Sequence, residues 1–194
     1  MTEFANEIES LLKQSRTMWD SPNILQIPKM ESLCRLVVDT FKSGNKLAFI
    51  GNGGSAAEAM HLAAEFTGKC SIDHHPLNAV CLNESQSSLT AIANDYGPDE
   101  IFARLIKASL SKNDVLVALS TSGRSRNIRR AIDESIELGV VTYLWTGDVD
   151  LKSDFPKSLE IWNAPSISTP RIQEAHLLWG HILAQVVESR FVDS

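Results

Sequence analysis

Cysteine is scarce, with Cys34, Cys70 and Cys81 the only three in 194 residues. An odd count without metal-type spacing argues against a disulfide framework or a cysteine-based metal site and reads as buried free thiols. Basic clusters are also missing. Eighteen Lys and Arg are scattered against 24 acidic residues, for a formal net charge of -6. A nucleic-acid face demands grouped positive charge, so nucleic acid is not an expected partner. No apolar run nears the length of a membrane span, which argues against a membrane partner. The N-terminus, Met1-Thr2-Glu3-Phe4-Ala5-Asn6-Glu7, is acidic and lacks the basic and apolar regions of a signal peptide. Together these features point to the cytoplasm. No repeat, low-complexity segment or linker divides the chain, so residues 1–194 read as one domain with its own core.

What the chain does have is a pattern used twice. A short apolar run, Lys46-Leu47-Ala48-Phe49-Ile50, ends in Gly51-Asn52-Gly53-Gly54-Ser55, and a helical pattern follows. A second run, Asp114 to Leu119, ends in Ser120-Thr121-Ser122-Gly123-Arg124-Ser125. Strand, small-residue loop and helix start form an anion site, because backbone N–H groups and the positive end of the helix dipole converge there. Two such loops suggest one phosphate held from both sides. Neither is the nucleotide P-loop, which needs Gly-Lys-Ser/Thr, nor the Gly-x-Gly-x-x-Gly dinucleotide fingerprint. Ser55 with Glu58 also matches a capping box, so Ser55 has a purely structural reading as an N-cap. Arg124 and Arg126 either assist the anion or sit solvated.

Phe4, Ile8, Leu11 and Leu12 recur at helical spacing, with Met18 and Trp19 beyond them. Ser21-Pro22-Asn23 breaks that helix, and a second runs from about Lys29 to Lys42. Strands are expected at Lys46–Ile50, Asn78–Leu82, Asp114–Leu119, Val140–Trp145 and Ser158–Ile161. Helices are expected at Ser55–Thr67, Ser87–Ala93, Pro98–Leu110, Ser125–Leu138 and Pro170–Val187. Apolar strands alternating with helices predict an α/β three-layer sandwich, a five-stranded parallel sheet flanked by helices. The N-terminal helices, about 1–43, form an extension packed outside the core of about 44–194.

Two polar sets stand out. His61 and Glu65 lie four apart on the helix that Ser55 opens, hence on one face. An imidazole and a carboxylate at this spacing can share a divalent metal or supply a base near a substrate. The last helix is apolar nearly all round, which suits either a central helix or a subunit interface. It carries Gln173, His176 and His181, polar groups that need partners or a job. Spacing favours Gln173 with His176, since Gln173 and His181 are about 12 Å apart along the axis and roughly 80° around it.

The ordered set Gly51-Asn52-Gly53-Gly54-Ser55, His61, Glu65, Ala91 through Gly97, Ser120-Thr121-Ser122-Gly123 and Arg171 through His181 resembles the phosphoheptose isomerases of the sugar-isomerase (SIS) fold. The similarity spans about Phe4 to Phe191. It implies a single SIS domain and a homotetramer with active sites between subunits. It implies that Asn52, Gly53, Gly54, Ser55, Ser120, Thr121, Ser122 and Ser125 hold a sugar phosphate, while Asn94, Asp95, Glu65 and Gln173 contact the sugar. His61, Glu65, Gln173 and His181 would bind Zn2+, one per subunit, and Glu65 and His181 would be the catalytic acid/base pair. The implied reaction converts sedoheptulose 7-phosphate to a manno-heptose 7-phosphate through an enediolate, in heptose precursor biosynthesis. Two rivals share the fold: a non-catalytic regulator that binds the replication initiator protein, and an isomerase of another sugar phosphate. The chain departs from the family at Lys69, usually arginine, and at Arg124, usually asparagine. The segment Thr146 to Lys152 also lacks a customary glycine pair.

Overall fold

The computed structural model describes residues 2–151 and 153–192, so Lys152 in the atypical 146–152 segment lies outside the described residues. Two helices come first, α1 (Glu3–Trp19) and α2 (Ile27–Lys42), with Pro28 in the first turn of α2. The alternating part then runs β1 (Leu47–Gly51), α3 (Gly54–Thr67), β2 (Ala79–Cys81), α4 (Gln86–Tyr96), a 3-10 turn (Pro98–Glu100) and α5 (Ile101–Ser109). It continues through β3 (Val115–Leu119), α6 (Arg126–Glu137), β4 (Val141–Thr146), β5 (Glu160–Asn163) and α7 (Thr169–Glu188).

The strands form one sheet, order β2-β1-β3-β4-β5, every pairing parallel. β1 and β3 are buried along their whole length, which explains why they read as unbroken apolar runs. Alternate residues feed two cores. Leu47, Phe49, Val115, Val117 and Trp145 point to the layer of α3, α7 and α2. Ala48, Ile50, Leu116, Ala118 and Leu144 point to the layer of α5 and α6. The α/β three-layer expectation is met.

Three local expectations shift. The helix expected at Ser87–Ala93 extends to Tyr96, which carries Asn94 and Asp95 on its last turn. The last strand lies two residues later than its expected span, starting at Glu160. Ser55 is no N-cap: the cap position is Gly53, and Ser55 sits inside the first turn of α3. Gly53 adopts φ +55 there, a conformation that L side chains rarely take.

Cys34 and Cys81 are buried and Cys70 half-buried. Burial pushes all three thiols up to about 11, so they are inert near neutrality. No described helix is long and apolar enough to cross a membrane.

Candidate active site

β1 and β3 are neighbours, but the chain leaves β1 for β2 on one side and returns to β3 on the other. The strand order therefore reverses between them. Helices from the two strands depart to opposite faces and open a crevice at the carboxyl ends, where open α/β sheets bind ligands. Both small-residue loops lie at that crevice.

Each loop is braced from below. Asn83, after β2, accepts from the Gly51 N–H at 3.2 Å and donates to the Gly51 carbonyl at 2.8 Å. In the second loop the Thr121 carbonyl accepts from the Gly147 N–H at 3.1 Å, and the Gly123 N–H donates to the buried Ser120 hydroxyl oxygen at 3.2 Å. That oxygen acts as acceptor, which leaves its proton for a ligand. Arg129 donates to the Gly123 carbonyl at 3.2 Å while pairing with Asp154 at 2.6 Å. Ser125 occupies the N-cap position of α6 with no side-chain capping bond, and the first N–H groups of the helix have no intrahelical acceptors. Asn52, Gly53, Gly54 and Ser122 are exposed, Thr121 and Ser125 half-buried, and Ser55 is buried beneath the first loop. Arg126 pairs with Asp99 at 2.6 Å, so its charge is already engaged. Arg124 and Lys69 are exposed.

The second centre joins α3 to α7. The Nε2 atoms of His61 and His181 face each other at 2.8 Å, and His61 Nε2 lies 3.2 Å from Glu65 Oε1. Ligand atoms of His61, Glu65 and His181 all fall within 4.8 Å of one another. Two imidazoles and a carboxylate converging this way are a donor set that suits zinc and leaves a further coordination position. His61 is exposed while Glu65 and His181 are half-buried, so a ligand can reach the centre.

Gln173, two turns before His181, packs against the first loop. A Cβ on Gly54 would overlap its amide nitrogen. Gln173 also faces Glu58, as does Ser55, yet neither closes a hydrogen bond of good geometry on that carboxyl group. Burial pushes the Glu58 acid up to about 7, against the pull of those two neighbours.

His176 does not join Gln173 at a site, contrary to the spacing argument. It is fully buried, 6.3 Å from the Trp145 ring and 5.7 Å from the Trp179 ring between centroids. Burial lowers its pKa to about 3, partly countered by the Thr146 backbone. The ring turns toward the sheet, while His181 turns toward α3. Asn94 and Asp95 bond to each other at 2.7 Å on exposed α4. Among the described residues, the hydrogen bonds that brace the two loops do not include them.

Sequence reasoning missed Asn83, Arg129 and Asn127. The available signal was an amide just after β2 and an amide and a guanidinium shortly after the second loop, which are common enough to pass for solvated side chains.

A family model described as the SIS domain matches residues 4–147. Among curated proteins, the phosphoheptose isomerase of Helicobacter pylori (strain Shi470) is 44% identical over 158 residues, 81% of this chain and 82% of that one. That of Aliarcobacter butzleri is 39% identical over 186 residues, 94% and 95% of the two chains. Among solved structures, phosphoheptose isomerase GmhA from Neisseria gonorrhoeae superposes with a TM-score of 0.87 at 31% identity, covering 96% of this chain and 99% of that one.

Proposed function

This chain belongs to the SIS-domain family and to its phosphoheptose isomerases, hence is a sugar-phosphate isomerase, and from that premise we propose that it converts sedoheptulose 7-phosphate to D-glycero-D-manno-heptose 7-phosphate through an enediolate. The observation that carries the proposal is the meeting of His61 and Glu65, on the helix that the first loop opens, with His181 of α7. Residues 1–194 act in this reading as one SIS domain.

The phosphate sits between Asn52, Gly53, Gly54 and Ser55 on one side and Ser120, Thr121, Ser122 and Ser125 on the other. Hydroxyls and helix N-termini hold a dianion without a fixed cation. Asn94, Asp95, Glu65 and Gln173 orient the sugar. Remote binding of the phosphate then holds the reacting carbons in place. The Glu65 carboxylate takes the proton next to the carbonyl and returns it to the adjacent carbon. His181 moves the hydroxyl and ring-opening protons, a task for an imidazole near neutral pH. His61, Glu65, Gln173 and His181 would hold one zinc per subunit. When bound, zinc supplies Lewis acidity at the carbonyl.

The reading also takes the enzyme as a cytoplasmic homotetramer with active sites between subunits. Supporting it, Phe4, Ile8, Leu11 and Leu12 are all about half exposed or more on α1. Scattered exposed apolar residues are ordinary, but a stripe along one helix marks an interface.

An NMR assay with sedoheptulose 7-phosphate tests the proposal. Turnover should vanish on chelation and return with zinc. Undiminished turnover by metal-free protein would remove the four-residue metal site, and no turnover with zinc present would remove the substrate.

A further inference from the structure

Asn127 lies in the first turn of α6, just past the second loop. Its side chain makes a reciprocal amide pair with Asn52 in the first loop. Asn52 Nδ2 donates to Asn127 Oδ1 at 2.8 Å, and Asn127 Nδ2 donates to Asn52 Oδ1 at 2.9 Å. The partners are 75 residues apart and sit on opposite walls of the crevice. We propose that Asn127 is a positioning residue for the substrate phosphate, acting through Asn52 to lock the two loops into one anion cradle. This inference rests on the two-loop phosphate reading given above.

The physical case starts from the glycines. Gly53 and Gly54 follow Asn52 directly, and Gly53 is held at φ +55. Asn83 braces the loop only at Gly51, the end of β1. Beyond that point a glycine-rich segment samples many backbone states, and ordering it on binding would weaken affinity. The amide pair removes that freedom before the ligand arrives. It also links the first loop to the helix whose N-terminal N–H groups face the same anion, so the spacing of the two walls is set in advance. Stoichiometry leaves a group for the ligand. Each carboxamide has two N–H donors, and the pair uses one from each residue. The second N–H of Asn52 stays available to a phosphate oxygen.

Preorganisation of this kind acts on binding more than on chemistry. In Asn127→Ala, KM for sedoheptulose 7-phosphate should rise about tenfold while kcat changes less than about twofold. Titration calorimetry with inorganic phosphate alone should show a similar loss of affinity. Asn127→Ser, too short to reach Asn52, should behave alike. In an Asn52→Ala background the Asn127→Ala change should add nothing, because its partner is already gone. Backbone hydrogen exchange at Gly53 and Gly54 should quicken in the ligand-free variant.

Unchanged KM and phosphate affinity in Asn127→Ala, or effects that simply add in the double variant, would overturn the proposal. Wild-type protein that binds no phosphate would overturn the cradle reading and the functional half of this one. Quickened exchange in Asn127→Ala would then identify the pair as a structural latch only.

Discussion

At the scale of single residues, function concentrates on side chains whose neighbours give them a task. Glu65 and His181 come from different helices, and neither touches the other's chain segment in sequence. Glu65→Gln keeps the shape and removes the base, so kcat should fall by about a thousandfold or more with an unchanged circular dichroism spectrum. His181→Ala should lose turnover and also zinc content, read by metal analysis of dialysed protein. Full activity in both variants would reject the acid/base assignment. His176 makes an opposite case. Its folded pKa is near 3, below the ordinary 6.5, so the native state binds fewer protons than the unfolded chain. Stability from keeping the ring neutral is therefore complete above pH 6.5 and drains away as pH falls toward 3. Each unit of difference corresponds to about 1.4 kcal/mol, so the loss across that window is on the order of 5 kcal/mol. His176→Phe should flatten this acid limb in denaturant titrations between pH 4 and pH 7. An unaltered limb would place the acid sensitivity elsewhere.

At the scale of elements, the start of α3 shows where local pattern misleads. Ser55 and Glu58 have the spacing of a capping box, yet the helix begins one residue before Ser55 and both side chains are buried. Burial against α7 overrode the local motif. Gly54 is small for a tertiary reason, since the Gln173 amide occupies the space beside it. Gly54→Ala should displace that flexible amide at little cost in melting temperature. Zinc affinity should nonetheless drop about tenfold or more, measured by competition with a chelator dye. Retained affinity would show that Gln173 takes no part in the metal site. α7 is central on part of its surface and open on the rest. Its buried residues pack within the chain against α3, α2 and α1, although Ile182 and Val186 still line an open groove of about 570 Å³.

For the whole molecule, the sheet order is what turns two separate loops into one site. Placing β1 beside β3 sets both small-residue turns at a single switch point, and the two cores hold α3 and α6 on opposite faces. In the proposed homotetramer the exposed apolar stripe of α1 meets a neighbouring copy. Ile8→Glu with Leu12→Glu should lower the assembly mass seen by sedimentation equilibrium, since charge in a buried apolar contact is strongly unfavourable. A tetramer undisturbed by both charges would move the interface to another face.

Read as sequence, the chain already determines the parallel α/β architecture and both small-residue loops, because strand burial and loop composition are written in contiguous residues. Asn52, Gly53, Gly54, Ser120 and Ser122 need only their neighbours to be noticed. The histidine choice needed more. Helical spacing paired Gln173 with His176, while the fold turned His176 into a tryptophan-lined core and brought His181 to His61 across 120 residues. The Asn52–Asn127 clasp and the buried state of Glu58 are likewise long-range facts. Periodicity reports which face a residue occupies on its own helix, and only packing decides what that face meets.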